Sequence, residues 1–312
     1  MLPSRYPPSG SSALRARAGP RDSMADMTAE ATGTSPTRRT VFLGCGSMSE
    51  AILVGLLSAG TPAGNVTATV RRSERAEELR RRYPGLTVLA ENDDAGANAA
   101  AVQGADVAVL GVKPVGIADM CRSIAPALDP TTVVVSVAAA VTIDTMEAAL
   151  PEGQPLVRSM PNTPLKVRRG AVGISAGSQV TDSQLNAARE VFAGAGTVVV
   201  VPEDQLDAVS AVSGSGPAYA FYLAEAMAAA GVELGLDPKL SMTLARETVA
   251  GAGIMLSEQD ADPAVLRRNV TSPNGTTERA IAAFDEAGLP KIIARGAAAA
   301  AERAAELSRE LA

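Results

Sequence analysis

The sequence predicts a doubly wound, mainly parallel α/β sheet followed by an all-α C-terminal domain, and three observations carry that expectation. Short apolar runs alternate with helical stretches from Thr40 to about Val201. Beyond Pro202 the periodic segments read as helices only. The first strand also runs directly into a Gly-x-Gly turn that opens a helix. Strands are expected at residues 40–43, 66–70, 87–89, 107–110, 132–137 and 155–160. Helices are expected to begin near Ser47, Ser73, Asn92, Gly116 and Thr142, with right-handed crossovers between parallel strands. Residues 171–175 and 197–201 add a strand pair around a helix at 182–195.

In the C-terminal part, breakers at 214–217, 235–238, 260–263, 272–275 and 288–290 separate the helices. Small residues dominate 224–231 and 294–305, so these helices can pack closely. A domain this thin is expected to need a second subunit to complete its core. Pro217 stands where a helix favours proline in its first turn, with Ser215 or Gly216 as the expected cap. Residues 1–38 are rich in Pro, Ser, Gly, Arg and Ala without apolar periodicity, and are expected to be disordered. Met24 or Met27 is an alternative start within that tail.

Composition narrows the chemistry. The chain has 46% apolar and 20% charged residues and a net charge of −6, so neither nucleic acid nor an anionic membrane is an expected partner. No apolar run is long and uninterrupted enough to span a bilayer. There is no histidine, which removes Ser-His-Asp and Cys-His catalysis, histidine zinc sites and imidazole acid–base chemistry together. No metal site is expected. The two cysteines, Cys45 and Cys121, form no CxxC pair, and a reduced, cytoplasmic location is expected.

A cofactor is therefore the expected source of reactivity, and the first strand-to-helix turn supplies a place for it. In Leu43-Gly44-Cys45-Gly46-Ser47-Met48, Gly44 would make the tight turn and Gly46 would let the backbone approach a pyrophosphate. Free N–H groups at the helix start would face that anion. The third position of the Gly-x-Gly-x-x-Gly pattern is Ser49, so the helix must meet the sheet over a small side chain. The second strand ends in Arg71-Arg72-Ser73, where a positive fork and a hydroxyl suit a ribose 2′-phosphate. NADPH is expected over NADH, which remains a weaker substitute. The fourth strand closes on Gly111-Val112-Lys113-Pro114 and the fifth on Val137-Ala138-Ala139, at the carboxyl edge where such sheets bind ligands. Met160-Pro161-Asn162-Thr163-Pro164 ends the sixth strand and reads as a rigid turn, the alternative being a rim of the site.

Later in the chain, Pro273-Asn274-Gly275 makes a tight turn before a helix starting at Thr276-Thr277-Glu278. That start would cradle a carboxylate, and a threonine hydroxyl would reach a ring nitrogen. These pieces, in the order GCGSM, GVKP, SVAAAVTI, MPNTP, AVSGSGPAYAF and NVTSPNGTT, resemble the pyrroline-5-carboxylate reductase family from about Val41 onward. The last two are specific; the GxG and VKP pieces also occur in related reductases. The resemblance implies reduction of Δ1-pyrroline-5-carboxylate to L-proline with NADPH. It also implies a homodimer with swapped helices, assembled further into a higher oligomer such as a decamer.

Carried over by position, the resemblance implies that Leu43 to Met48 hold the pyrophosphate and that Arg71 and Ser73 hold the 2′-phosphate. Asn92 would lie on the adenosine side, Val112, Lys113 and Pro114 with Val137, Ala138 and Ala139 on the nicotinamide side, and Asn269 would add a cofactor contact. Glu203, Thr276 and Thr277 would contact substrate, with Thr277 nearest the imine nitrogen as the catalytic residue. Asn274 departs from the glycine common in the family, but asparagine tolerates a left-handed backbone, so the turn should survive. The implied organisation is a tail at 1–38, an NADP-binding Rossmann domain at 39–202 and a helical substrate-binding and dimerisation domain at 203–312. A β-hydroxyacid dehydrogenase-like oxidoreductase and a non-catalytic NADPH-binding regulator are the alternatives.

Overall fold

A computed structural model describes residues 38–311. The expectation of a disordered tail lies outside the described residues except for Arg38, whose guanidinium pairs with Glu190. The strands are β1 (Thr40–Leu43), β2 (Val66–Val70), β3 (Thr87–Ala90), β4 (Val107–Leu110), β5 (Val133–Ser136), β6 (Leu156–Met160), β7 (Gly170–Ala176) and β8 (Gly196–Val200). They form one eight-stranded sheet in the order β3-β2-β1-β4-β5-β6-β7-β8. Strand order reverses between β1 and β4, which places a crevice beyond the carboxyl ends of those strands.

Alternation along each strand sends successive side chains to opposite faces, and helices cover both. Phe42 faces a core shared with α1 (Ser47–Ser58), α2 (Ser73–Arg82) and α6 (Asp182–Ala193). Val41 and Leu43 face a second core with α3 (Ala97–Val102), α4 (Ile117–Ile124) and α5 (Ile143–Glu147). Burial on both sides explains why inner strands such as β1, β4 and β5 read as nearly continuous apolar runs, whereas the edge strand β8 is apolar yet largely exposed. A capping box between Thr181 and Gln184 starts α6.

One local expectation changes. The helix expected near Asn92 begins only at Ala97, because Asn92-Asp93-Asp94 turn the chain and Asp94 Oδ1 accepts from the Gly96 N–H at 2.8 Å. Strand β7 pairs antiparallel with β6, whereas β8 pairs parallel with β7. The link 161–169 holds two prolines and a 3₁₀ turn at Thr163–Val167 and is too short for a crossover, which needs about a dozen residues or more.

The remainder is helical: α7 (Leu206–Val209), a π turn (Ser210–Gly214), α8 (Gly216–Glu233), α9 (Pro238–Leu256), α10 (Pro263–Asn269), α11 (Thr276–Glu286) and α12 (Leu289–Glu310). As expected, α8 begins with Ser215 at its cap and Pro217 in its first turn, but Ser215 itself has helical dihedrals and the backbone is already helical from Leu206 through the π turn. Apolar side chains of α8, α9, α11 and α12 face solvent in the single chain, among them Phe221 at 70%, Tyr222 at 72% and Ile254 at 66% exposure. That is the unfinished core the small-residue pattern led us to expect. Among the described residues no helix is long and apolar enough to cross a membrane.

Glu50 ties α1 to α2. Its carboxylate accepts from Arg75 at 2.5 Å, Arg82 at 2.5 Å and Tyr83 at 2.9 Å. Burial opposes its ionisation, but the hydrogen bonds from Arg75, Tyr83 and Arg82 outweigh it and hold the carboxyl below the usual glutamate range. With the folded value depressed, this contribution is complete above the unfolded carboxyl value and lost as pH falls through the folded one. Glu50→Gln should therefore cost about 1–2 kcal/mol at neutral pH, because the site is partly open to solvent and salt. Thermal melts of wild type and variant should converge on acidification; a constant gap down to pH ~3 would refute the assignment.

Candidate active site at the carboxyl rim of the sheet

A row of backbone hydrogen bonds joins the loops beyond the strands. The N–H of Asn92 donates to Arg71 O at 3.0 Å, Cys45 to Thr69 O at 2.7 Å, Gly111 to Leu43 O at 2.8 Å and Val137 to Leu110 O at 3.2 Å. The sequence-predicted cofactor residues after β1, β2, β3, β4 and β5 are thus brought onto one rim. Arg71 and Asn92 are exposed there, as are Lys113 and Ala139, while Ala138 is buried.

The glycine loop is built as its spacing implied. Gly44 has φ of +84°, and a Cβ there would come within 2.8 Å of Val112 Cγ1. Its N–H donates to Thr69 Oγ1 at 3.0 Å, and Thr69 in turn donates to Asn98 Oδ1 at 2.6 Å in the core. The N–H groups of Cys45 and Gly46 are also committed, to Thr69 O and Gly44 O. The open donors are therefore those of the first turn of α1, at Ser47 and Met48, where the helix cap supplies no side-chain bond. A Cβ on Gly46 would meet nothing within 4 Å, which leaves a cradle beside those donors. These residues fit a pyrophosphate. Cys45 turns its thiol into the core, where burial, then the charge of Glu50, push its pKa up to about 12. Only its backbone belongs to the loop.

Ser49 replaces the third glycine of the pattern because the close approach has moved across to the sheet. A Cβ on Gly111 would overlap both Ser49 Oγ and Gly44 O, and Ser49 Oγ donates to Gly44 O at 3.1 Å. Gly111, Ser49 and Thr69 thus shape the loop. A glycine at the end of an apolar strand, facing the small-residue start of α1, is the signal for Gly111; Thr69 gives none, since threonine is ordinary in a strand.

Farther along the rim, a cleft of about 60 Å³ is lined by Ala138–Ala140, Arg158–Met160, Ser210 and Leu307, among others. Ala140 there has φ of +63°, a left-handed conformation uncommon for alanine. The buried Asn162 joins the MPNTP segment to the π turn. Pro217 has no N–H, so the carbonyl of Ser213 four residues earlier loses its helical donor. Asn162 Nδ2 donates to that carbonyl at 3.0 Å, and Asn162 Oδ1 accepts from the Ala171 N–H at 2.9 Å. Met160 packs on Gly214, and Tyr219 OH donates to Ala211 O at 3.0 Å. MPNTP is thus a rigid turn that also interlocks with SGSGP. Asn162→Ala should cost about 2–4 kcal/mol by leaving two groups unpaired, whereas a melting point within a degree or so of wild type would contradict this role.

Glu203 lines a separate cleft of about 500 Å³ with Ile143, Asp144 and Val200–Pro202. Its Oε1 accepts from the Ile143 N–H at 2.8 Å and from the buried Arg158 at 2.9 Å, so it fastens the start of the helical region to the sheet. No hydrogen bond among the described residues brings Asn269, Thr276 or Thr277 to the rim. Among the described residues, the bonds of the α10–α11 loop are internal: Thr271 Oγ1 to Arg267 O at 2.7 Å, and the Asn274 N–H to Glu278 Oε2 at 2.7 Å. Asn274 has φ of +58°, the left-handed turn expected of it. Gly275 caps α11 without a side-chain bond.

Comparison with known proteins decides the family. Residues 203–307 match the family model described as pyrroline-5-carboxylate reductase dimerisation. Residues 39–140 match that of NADP oxidoreductase, coenzyme F420-dependent. A pyrroline-5-carboxylate reductase of Pseudomonas aeruginosa is 41% identical over 276 residues, covering 88% of this chain and 98% of the relative. The chain belongs to the pyrroline-5-carboxylate reductase family. A relative of the same description from Mycobacterium tuberculosis is 37% identical, over 86% of this reductase chain and 96% of its own. The solved pyrroline-5-carboxylate reductase of Coxiella burnetii superposes with a TM-score of 0.82 at 36% identity, over 88% and 99% of the two chains. The Plasmodium falciparum pyrroline carboxylate reductase, solved with NADP bound, shares the fold with a TM-score of 0.72 at 23% identity, over 87% and 98%.

Proposed function

We propose that this chain reduces Δ1-pyrroline-5-carboxylate to L-proline with NADPH, the closing step of proline biosynthesis. One observation carries the reading: a pyrophosphate cradle and the family's substrate-side motifs lie on one chain that matches a curated reductase over 98% of its length. In this reading residues 39–202 bind the cofactor and 203–312 bind substrate and form the dimer. The first turn of α1 holds the pyrophosphate, Arg71 and Ser73 take the ribose phosphate, and Asn92 takes the adenosine. Val112–Pro114, Val137–Ala139 and Asn269 border the nicotinamide.

The exposed apolar faces of α8 and α9 support a swapped-helix homodimer, and we extend this to a higher oligomer such as a decamer. The partner's α10–α11 loop then covers the rim. There the N–H groups at the start of α11 grip the substrate carboxylate, and the Thr277 hydroxyl orients the ring nitrogen. NADPH, when bound, supplies the hydride. The residues need only align the protonated imine and exclude water, so the lack of histidine is no obstacle. Glu203, which the resemblance sets against substrate, is fastened by the Ile143 N–H and Arg158 and would act on substrate through Arg158, which also borders the rim cleft. Two buried free thiols suit a cytoplasmic protein. The test is oxidation of NADPH with pyrroline-5-carboxylate, beside NADH and the six-membered cyclic imine. Turnover of hydroxy acids without imine reduction would instead favour a β-hydroxyacid dehydrogenase, and tight NADPH binding without turnover a regulator.

A further inference from the structure

Strands β2 and β3 are parallel neighbours with Val70 opposite Ala90, so the residues that follow them emerge side by side. Arg71-Arg72-Ser73 therefore lies against Glu91-Asn92-Asp93, and the Asn92 N–H to Arg71 O bond of 3.0 Å fixes that register. Ser73 is the first residue of α2, and its Oγ donates to Asp93 Oδ1 at 2.5 Å. A carboxylate of this chain's own thus stands at the start of a ten-residue helix, where an outside anion would otherwise sit. It also occupies the one hydroxyl assigned above to the 2′-phosphate. Asp93 is exposed, and its carboxylate packs into no core.

We propose that Asp93 is a selectivity residue of the cofactor site, a role that rests on the NADPH reading above. A carboxylate beside a ribose accepts a hydrogen bond from a 2′-hydroxyl and repels a 2′-phosphate. Asp93 therefore favours NADH and offsets part of what Arg71 gives NADPH. The balance between the two side chains, rather than the arginine alone, sets the preference. For NADPH to bind, Ser73 must exchange its carboxylate acceptor for a phosphate oxygen.

The test is titration of the full-length protein with NADPH and with NADH, following dihydronicotinamide fluorescence, for wild type, Asp93→Asn and Arg71→Ala. Asp93→Asn should tighten NADPH and weaken NADH, moving the ratio of dissociation constants about tenfold toward NADPH, more at low salt than at high. Asp93→Ser should move it the same way and serves if the asparagine variant folds poorly. A ratio within about twofold of wild type, or a shift toward NADH, overturns the proposal, on a scale where tenfold is ~1.4 kcal/mol. Arg71→Ala separates the two failures. If it weakens NADPH selectively while the Asp93 variants change nothing, only the role of Asp93 falls; if it too leaves the ratio unmoved, the ribose assignment itself falls.

Discussion

Gly111→Ala should weaken NADPH binding about a hundredfold or more. The added methyl would overlap Ser49 Oγ and Gly44 O, the two atoms whose 3.1 Å hydrogen bond closes the glycine loop. Neither can retreat freely. Ser49 is buried in the first turn of α1, and the Gly44 N–H is held by Thr69. Relief must come from moving the start of α1, and overpacking of this kind costs about 1–3 kcal/mol before any ligand is considered. The same movement turns the Ser47 and Met48 N–H groups away from the pyrophosphate, where aim matters as much as distance. Fluorescence titration with NADPH, paired with a thermal melt, separates the two losses. Adding Ser49→Gly should recover part of the affinity, because one of the two overlaps disappears. Affinity within threefold of wild type would mean that this loop does not cradle the cofactor.

Thr277→Ala should lower turnover by about a hundredfold or more while leaving NADPH affinity near wild type. The threonine is the second residue of α11, and the helix cap at Gly275 uses no side chain, so its hydroxyl is not spent on capping. The substitution should leave the turn standing, since that turn rests on Gly275 N–H to Ser272 O and Asn274 N–H to Glu278. Thr277→Ser keeps the hydroxyl and should restore much of the rate. Steady-state kcat and KM with pyrroline-5-carboxylate, alongside the NADPH dissociation constant, decide it. Unchanged turnover would remove Thr277 from the chemistry.

The inner strands were legible because burial on both faces writes them as apolar runs bounded by turn residues, as in Val107–Leu110 and Val133–Ser136. The glycine loop was legible too, since Gly44 needs a conformation that other residues avoid. What stayed hidden was pairwise. Asn162 looks like a turn residue until Pro217 is seen to strip a helical partner from Ser213, and those positions are far apart in the chain. The contact between Gly111 and Ser49 likewise becomes visible only when strand and helix lie side by side. The reversed direction of β7 followed from a link too short to cross over, a limit of length rather than composition. Asp93 reads as one more polar loop residue until the register of β2 and β3 carries it to Ser73.

The stitching of the loops by main-chain bonds has a consequence for how this protein tolerates sequence drift. The groups offered to the nucleotide at Ser47 and Met48 are amides common to every residue but proline, so either side chain can be exchanged with little loss of grip. The vulnerable positions are Gly44 and Gly111, where one methyl deforms the main-chain path. Variation should therefore accumulate beside the ligand and be purged one layer behind it.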